Sequence, residues 1–292
     1  MLDTWVPQEF HLDDRQDMES LVGQRADLLD SLAKAKIPAI VFRSVYDPSD
    51  CVSLIQRFTD IGLIRASRHL DQSQHWINKN INDDMRTRID IGTSLGNLGS
   101  DKDFFFRHAR ATQFLFKFLF QGYINPIQQV YDSLSTLAKG KTVTTAYEAD
   151  GQQYGPAIFR AHYESHAYKP HIDSVKLREK RINYNVYRFD HQLAGVLCFQ
   201  NSDQNNTGVQ SLLYRCLWSP EVQVIIENNT FHQYAQEEKI QTYQVNLQPG
   251  DLYFFNTHCV HEVPAIEGNK PRIVLAVFIG YSQSEKEVFV WS

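Results

Sequence analysis

The sequence is poor in cysteine. Its 292 residues include four, Cys51, Cys198, Cys216 and Cys259, and no two of them form a C-x-x-C pair or stand close together in the chain. Disulfide-dense folds depend on many closely spaced cysteines, so that class of protein is excluded. Three of the four lie in apolar runs typical of buried strands, and we expect all four to be reduced thiols in the core.

The sequence also lacks an excess of positive charge and a long hydrophobic run. A formal net charge of −5 at pH 7 provides no broad positive field for phosphate backbones or anionic lipids. The N-terminal sequence MLDTWVPQEFHLDD carries acids where a signal peptide needs a basic start and an apolar stretch, and no later segment has the length of a membrane span. We therefore expect a cytoplasmic protein with a small-molecule or peptide partner, and neither nucleic acid nor membrane as a partner. No feature of the sequence indicates an oligomeric state.

The first half of the chain carries mainly helical patterns. Residues 13–36 place apolar side chains at helical spacing, and Asp47 followed by Pro48 predicts the start of a helix after the short apolar strand IPAIVFRSVY. Two further helices are predicted over DFFFRHARATQFLFKFLFQG and INPIQQVYDSLSTLAKG. Residues 65–101 between these regions are polar and without a sustained period, so we predict loops that fold over a site.

From about residue 142 onward the pattern changes to short strands separated by turns. Nine are predicted: TVTTAYEA, AIFRAHYES, RINYNVYRF, GVLCFQN, QSLLYRCLW, VQVIIEN, QTYQVNL, DLYFFNT and RIVLAVFIGY. Many short strands with turns between them are typical of a jelly-roll core. We predict an α+β fold in one domain, residues 1–292, in which residues 1–141 supply a mainly helical support and lid and residues 142–292 the jelly-roll catalytic core.

The pattern H-x-D occurs three times, at His11, His69 and His171. Only the third enters the strand-rich region, which could return a further ligand from a distant strand. On an extended segment residues i and i+2 project from the same side, so His171 and Asp173 can face one metal ion.

A facial metal triad needs another imidazole, and the later histidines are His191, His232, His258 and His261. The stretch GDLYFFNTHCVHEVPAIEGNKPRIVLAVFIGY runs strand, turn, histidine, short loop, then a basic residue entering a strand. His261 can therefore meet the metal while Arg272 reaches a carboxylate beyond it, since a guanidinium grips a carboxylate with two parallel hydrogen bonds.

These residues resemble the iron(II)/2-oxoglutarate-dependent oxygenase superfamily, whose double-stranded β-helix carries H-x-D, a distal histidine and an arginine shortly after it. The resemblance covers about residues 158–281, and the family phrase fits HEVPAIEGNKPR, which favours His261 over His258 as the third ligand. It implies iron(II) held by His171, Asp173 and His261, with Arg272 anchoring 2-oxoglutarate, which reacts with O2 to give succinate and CO2. A tyrosine upstream of the metal motif binds the co-substrate in prolyl-hydroxylase-like members, and that role would fall on Tyr163.

The order of motifs is similar to freestanding small-molecule hydroxylases and to welwitindolinone-type halogenases. Those halogenases have glycine or alanine where this chain has Asp173, and the carboxylate leaves no room for a halide. The resemblance therefore implies hydroxylation of a small, amino-acid-like or natural-product substrate.

Several alternatives stay open from the sequence. Tyr184 and Asn185, on the next predicted strand, could also face the co-substrate, and Arg160 or Arg188 could contact a carboxylate or phosphate of the substrate. A peptidyl hydroxylase and a cupin-like protein that binds a metal or ligand without turnover are the competing functions.

Overall fold

The computed structural model describes residues 4–11, 27–66, 87–202, 209–266 and 268–292. Within these residues the strands are β1 (Gln8–His11), β2 (Ala39–Arg43), β3 (Arg88–Gly92), β4 (Thr142–Thr145), β5 (Ile158–His162), β6 (Tyr168–His171), β7 (His191–Gln200), β8 (Val209–Leu217), β9 (Thr242–Asn246), β10 (Leu252–Asn256), β11 (Cys259–Val263), β12 (Arg272–Tyr281) and β13 (Glu287–Trp291). The helices are α1 (Leu28–Ala33), α2 (Pro48–Asp60), α3 (Leu95–Leu98), α4 (Lys102–Leu119), α5 (Pro126–Leu137), α6 (Pro220–Glu227) and α7 (Phe231–Glu237).

Two sheets form the core. The larger has nine strands in the order β1-β2-β10-β7-β12-β13-β4, and β5 joins it by pairing with β12, while β3 pairs with β5. The smaller has four strands in the order β6-β11-β8-β9. The α+β class and the jelly-roll core predicted from the sequence are confirmed.

The helices of the first half cover one face of the larger sheet. Leu54 and Phe58 of α2 and Leu119 of α4 are fully buried against Phe159 of β5 and Leu275 of β12. Because side chains alternate across a strand, the neighbours of these two sheet residues point to the opposite face. That opposite face is the one turned toward the cavity described below.

The predicted helix starts are confirmed where the structure describes them. The side chain of Asp47 accepts a hydrogen bond from the backbone N–H of Ser49 at the start of α2, with Pro48 in the first turn. Such a cap satisfies a backbone donor that the helix leaves free, and proline loses nothing there because it has no N–H. Of the helix predicted over 13–36, α1 lies in the described part, while residues 12–26 lie outside it.

Two predicted strands and one predicted loop are wrong. VQVIIEN forms helix α6, which Ser219 caps at its N-terminus, and RINYNVYRF contains a 3-10 turn over Asn185–Arg188 instead of a strand. Residues 65–101, predicted as loops, include β3 and α3; residues 67–86 lie outside the described part.

The four cysteines are free and buried, as expected. Among the described residues, no helix combines the length and the apolar character that crossing a bilayer requires.

Candidate functional site

Two strands of the smaller sheet bring the H-x-D pair and the distal histidine together. His171 ends β6 and is the direct register partner of His261 on β11, and their ring centroids are 4.3 Å apart. Asp173 follows two residues later, where its backbone N–H donates to the carbonyl of Thr257 and its carbonyl accepts from the Thr257 hydroxyl. This clamp by a fully buried threonine fixes the backbone that carries the carboxylate.

The ligand atoms of the three side chains converge. Asp173 Oδ2 lies 3.8 Å from His171 Nε2 and 3.5 Å from His261 Nε2, and all three ligand atoms lie within 4.8 Å of one another. Among the described residues, this is the one group of three or more His, Cys, Asp or Glu side chains with the geometry to hold a metal ion. His258, the alternative ligand, instead contacts the hydroxyl of Ser174 at 3.1 Å.

Backbone carbonyls hold both imidazoles in the orientation that metal binding needs. His171 Nδ1 lies 2.7 Å from the carbonyl of Lys169, and His261 Nδ1 lies 3.0 Å from that of Cys259. An N–H on Nδ1 that donates to a carbonyl leaves Nε2 with its lone pair, directed at the ligand cluster. The same arrangement fixes both ring planes before any ion binds.

The charge states at neutral pH also suit a cation. Burial and the neighbouring His261 lower the pKa of His171 to about 4, so its imidazole is neutral. Burial alone would raise the pKa of Asp173, but the adjacent His261 and His171 and the charge of Arg160 outweigh it and hold the pKa well below its usual value. Two imidazole nitrogens and one ionised carboxylate make a donor set with open coordination positions, which non-haem iron(II) oxygenases use.

Arg272 is a buried cation without an anion. It begins β12, is only 4% exposed, and pairs in register with His162 of β5. One terminal nitrogen donates to the carbonyl of Gln210 at 3.2 Å and the other lies 3.5 Å from His162 Nδ1, but Nε has no partner. No ion pair joins Arg272 to a carboxylate of the described residues. Burial lowers its pKa, as expected for a charge that awaits an acidic ligand.

His162 beside it provides no negative charge. It is buried, and burial together with Arg272 and His166 lowers its pKa well below the usual value. The neutral ring therefore accepts from Arg272 without neutralising it, so the need for an anion remains.

A cavity of about 850 Å³ between the two sheets contains both features. Its walls carry Asp173 and His261 from the smaller-sheet side and Arg272 from the larger sheet, and helix α3 and α6 contribute at the rim. This volume is within the range of small-molecule sites. The apolar part of the lining includes Ile158, Val196, Phe255, Val274, Ala276 and Phe278.

Tyr163 does not reach this cavity, so its expected contact with the co-substrate is corrected. It follows His162 on the chain and points to the opposite, helix-covered face. Its hydroxyl accepts from the backbone N–H of Arg65 and donates to the Arg65 carbonyl, and its own N–H donates to the carbonyl of Thr87. Tyr163 therefore ties residues 65 and 87 to the sheet.

Tyr184 and Asn185 are also away from the cavity. The Tyr184 hydroxyl donates to the carbonyl of Gly99, and the Asn185 amide donates to the carbonyl of Tyr147. Both side chains fix the 3-10 turn against helix α4 and its neighbours, and neither lines the cavity. Their predicted role is corrected because the segment is not the strand that would have turned them inward.

Sequence reasoning missed two side chains that the structure brings beside Arg272. Tyr168 on β6 accepts a hydrogen bond from Arg88 at 2.8 Å and lies 3.4 Å from His162 Nε2, and His162 itself was not singled out. The alternation of side chains along β5 places His162 and Tyr163 on opposite faces of the sheet. The sequence does not show which of the two faces the cavity, because that depends on how β5 pairs with β12.

Comparisons with known proteins agree with this architecture. The family model for the carrier-protein-independent halogenase WelO5 matches residues 17–292. Comparison with curated proteins found no match to the sequence.

Among solved structures, the chain is similar to an N-substituted L-amino acid dioxygenase from Burkholderia ambifaria AMMD. The TM-score is 0.55 at 14% identity, with 94% of this chain and 91% of that chain covered. The same dioxygenase in complex with alpha-KG gives a TM-score of 0.53 at 13% identity, covering 90% of each chain. At such low identity these structures support the fold alone. The family match, which spans most of the chain, goes further: the chain belongs to the family of the carrier-protein-independent halogenase WelO5, within the iron(II)/2-oxoglutarate-dependent oxygenase superfamily expected from its motifs.

Proposed function

We propose that the protein is an iron(II)- and 2-oxoglutarate-dependent dioxygenase that hydroxylates an unactivated C–H bond of a small molecule. The observation that carries the proposal is the carboxylate of Asp173, which lies with His171 and His261 in one cluster of ligand atoms within 4.8 Å. Iron(II) suits two neutral imidazoles and one carboxylate.

The residues at the far side of the cavity fit 2-oxoglutarate. Arg272 is buried with an unpartnered Nε, and a carboxylate would satisfy it with paired charge-assisted hydrogen bonds. Arg272 would hold the carboxylate farthest from the metal, while His171, Asp173 and His261 would hold iron(II). When bound, this pair supplies the activation of O2 that C–H oxidation requires, with release of succinate and CO2.

The protein's own contribution is orientation and exclusion of water. Lys169 and Cys259 fix the two imidazoles through their carbonyls, and Thr257 fixes the aspartate backbone. The apolar side chains of the larger sheet would keep the reacting C–H bond in a dry environment and aim it at the metal.

Halogenation is the second candidate, because the family takes its name from a halogenase. Asp173 argues against it in this chain. A side chain that fills the third protein position on the metal leaves no position there for a halide, so we infer oxygen insertion. A peptidyl hydroxylase is disfavoured because the cavity is of small-molecule size.

We also propose that residues 1–292 form one domain, with residues 1–141 as support and lid and residues 142–292 as catalytic core. The hydrogen bonds of β1, β2 and β3 to the larger sheet support this reading, since the first part completes a sheet that the second part begins. Limited proteolysis should then release no stable fragment that ends near residue 141.

The decisive experiment is anaerobic addition of iron(II) and 2-oxoglutarate to the metal-free protein. A weak visible charge-transfer band should appear, and it should be absent with either component alone. Absence of the band with correctly folded protein would reject the oxygenase and leave a cupin-like binding protein. Metabolite pools can then be screened in air for stimulated succinate release, with chloride and bromide present. The product should be heavier by one oxygen atom, and a halogenated product would favour the second candidate.

A further inference from the structure

Arg160 is a second cation of the cavity for which the proposed co-substrate provides no anion. It lies at the centre of β5, between Ile158 and His162, and all three line the cavity. Its Nε is buried and has no hydrogen-bond partner. Across the described residues no hydrogen bond or ion pair satisfies this guanidinium.

The acids nearest to Arg160 in the fold are engaged elsewhere. Asp90 is its register partner on β3, but Asp90 Oδ2 pairs with Arg88 at 3.0 Å, and Asp90 Oδ1 is buried without a hydrogen bond to Arg160 or to any other group. Glu179, also on the cavity wall, accepts from Arg181 at 3.2 Å. The other acids on the cavity wall are Glu227, which accepts from Gln223 at 2.9 Å, and Asp173, which pairs with Arg178 at 3.4 Å.

With iron(II) and 2-oxoglutarate bound, the charges of the site would balance without Arg160, so Arg160 would have no counterion. Iron(II) and Arg272 together carry three positive charges, which Asp173 and the two carboxylates of 2-oxoglutarate neutralise. The side chain of Arg178 beside Asp173 is 54% exposed, so water screens its charge. Arg88 and Asp90 neutralise each other. Arg160 is half-buried, with its Nε sealed from solvent. A partly desolvated cation without a counterion is unfavourable, so the loaded cavity favours one further negative charge at Arg160.

We propose that Arg160 binds the carboxylate of the substrate, so that the substrate is a monoanionic acid with an apolar body. This inference rests on the proposed function and specifies its substrate class. The guanidinium would fix the acid end of the molecule on the larger sheet, and the apolar body would pack on Val274, Ala276 and Phe278, which share the wall with Arg160. Arg188, the other arginine considered from the sequence, pairs with Glu287 at 3.3 Å and with Glu285 at 3.6 Å and does not line the cavity.

The test uses the full chain loaded anaerobically with iron(II) and 2-oxoglutarate, and two probes of one shape. Calorimetric titration with 3-phenylpropionate and with its neutral amide measures how much the negative charge contributes to the binding affinity. The acid should bind at least about tenfold more tightly than the amide, because a charge-assisted bidentate contact is lost in the amide. Phenyl phosphate is the third probe, since tighter binding of this dianion would overturn the carboxylate assignment.

Three variants complete the test. Arg160→Gln should reduce acid binding to the level of the amide and leave the affinity for 2-oxoglutarate within about twofold, while Arg160→Lys should restore part of the preference for the acid. Arg188→Gln is the matched control and should bind all probes as the unmodified protein does.

Each contrary outcome is specific. Equal binding of acid and amide by the unmodified protein overturns the inference without any variant. Loss of 2-oxoglutarate or iron(II) affinity in Arg160→Gln would instead make Arg160 a positioning residue for the metal centre. Failure of the proposed function is a separate result, the missing charge-transfer band of the unmodified protein.

Discussion

At the scale of single residues, the burial of Arg272 destabilises the ligand-free protein, and the proposed contact with 2-oxoglutarate would offset that cost. It is buried, and its Nε lacks a partner. Replacing an unbalanced buried cation by an apolar side chain of similar volume is often neutral or stabilising.

We predict that Arg272→Met leaves the ligand-free protein as stable as before or raises its melting temperature. The same variant should lose the stabilisation by 2-oxoglutarate, which at about one hundred times its Kd amounts to about 2.7 kcal/mol for the unmodified protein. Thermal unfolding with and without 2-oxoglutarate and iron(II) measures both effects. Retained stabilisation by 2-oxoglutarate would remove Arg272 from the binding site.

Asp173 decides the proposed reaction. We predict that Asp173→Gly lowers hydroxylation at least a hundredfold, on the order expected when a metal ligand and not only its support is lost. The two histidines and Arg272 should still allow weak binding of iron(II) and 2-oxoglutarate, visible as a residual charge-transfer band.

Asp13→Gly is the control for Asp173→Gly, since it alters the aspartate of a competing H-x-D sequence. Its hydroxylation rate should be unchanged. Full activity of Asp173→Gly would contradict the assignment of the third H-x-D, and loss of activity in Asp13→Gly alone would move the assignment to the first.

The three candidate metal ligands could be proposed from the sequence because few residue types bind iron and their spacing along the chain is restricted. Spacing and residue type indicated His171 and Asp173, the resemblance to the family phrase favoured His261 over His258, and the structure brings the three ligand atoms together. Tyr163 was carried over from a motif, and its neighbour His162 faces the cavity instead. Adjacent residues of a strand point to opposite faces of the sheet. The sequence alone does not show the strand register, which decides whether His162 or Tyr163 faces the cavity.

At the scale of elements, the central strand β7 illustrates how closely the larger sheet is packed. A Cβ on Gly195 would lie 2.7 Å from Phe254 Cε1 and 3.1 Å from Val277 Cγ2. Strands β10 and β12 pair with β7 on either side, so neither side chain can withdraw without disturbing a strand that lines the cavity.

We predict that Gly195→Ala destabilises the protein by about 1–3 kcal/mol, the usual cost of overpacking a core. Gly96→Ala is the matched control, because its nearest contact would be Glu179 Oε1 at 3.4 Å, the end of a flexible side chain. Urea unfolding of the two variants measures the difference. Equal stability of Gly195→Ala and the unmodified protein would mean that the sheet can expand at this point.

One element was predicted wrongly because its residue types favour a strand while the residues before it favour the start of a helix. VQVIIEN is rich in β-branched residues, which favour strands, yet Ser219 and Pro220 before it form a helix cap and first turn. The 3-10 turn over Asn185–Arg188 depends on distant partners, including Glu148, whose carboxylate accepts from the Asn185 N–H. No local pattern indicates such a contact.

At the scale of the whole molecule, buried and half-buried histidines are expected to make the stability depend on pH. Burial lowers the pKa of His166 and His258 to about 4, and that of His162 well below its usual value. In the unfolded chain a histidine titrates near pH 6.5. Between about pH 6.5 and 4 the unfolded state therefore binds more protons than the folded state, and the free energy of unfolding must fall as the pH falls.

We predict that the metal-free protein loses stability progressively as the pH is lowered from about 6.5 to 4. Urea unfolding over a pH series measures the slope, and His258→Asn should make it shallower, whereas His11→Asn, at an exposed position on β1, should leave it unchanged. A free energy of unfolding that is constant over this range would contradict the buried, neutral state of these rings.

The alternation of faces along the strands limits how a sequence of this kind can evolve. The cavity is lined by Arg160 and His162 on β5, by His171 at the end of β6 with Asp173 two residues beyond it, and by Arg272 on β12. Insertion of one residue within a strand would transfer every later side chain of that strand to the other face, whereas an exposed loop can change length without that penalty. Substitutions can therefore accumulate until overall identity is low, while insertions and deletions inside these strands are tolerated only in pairs.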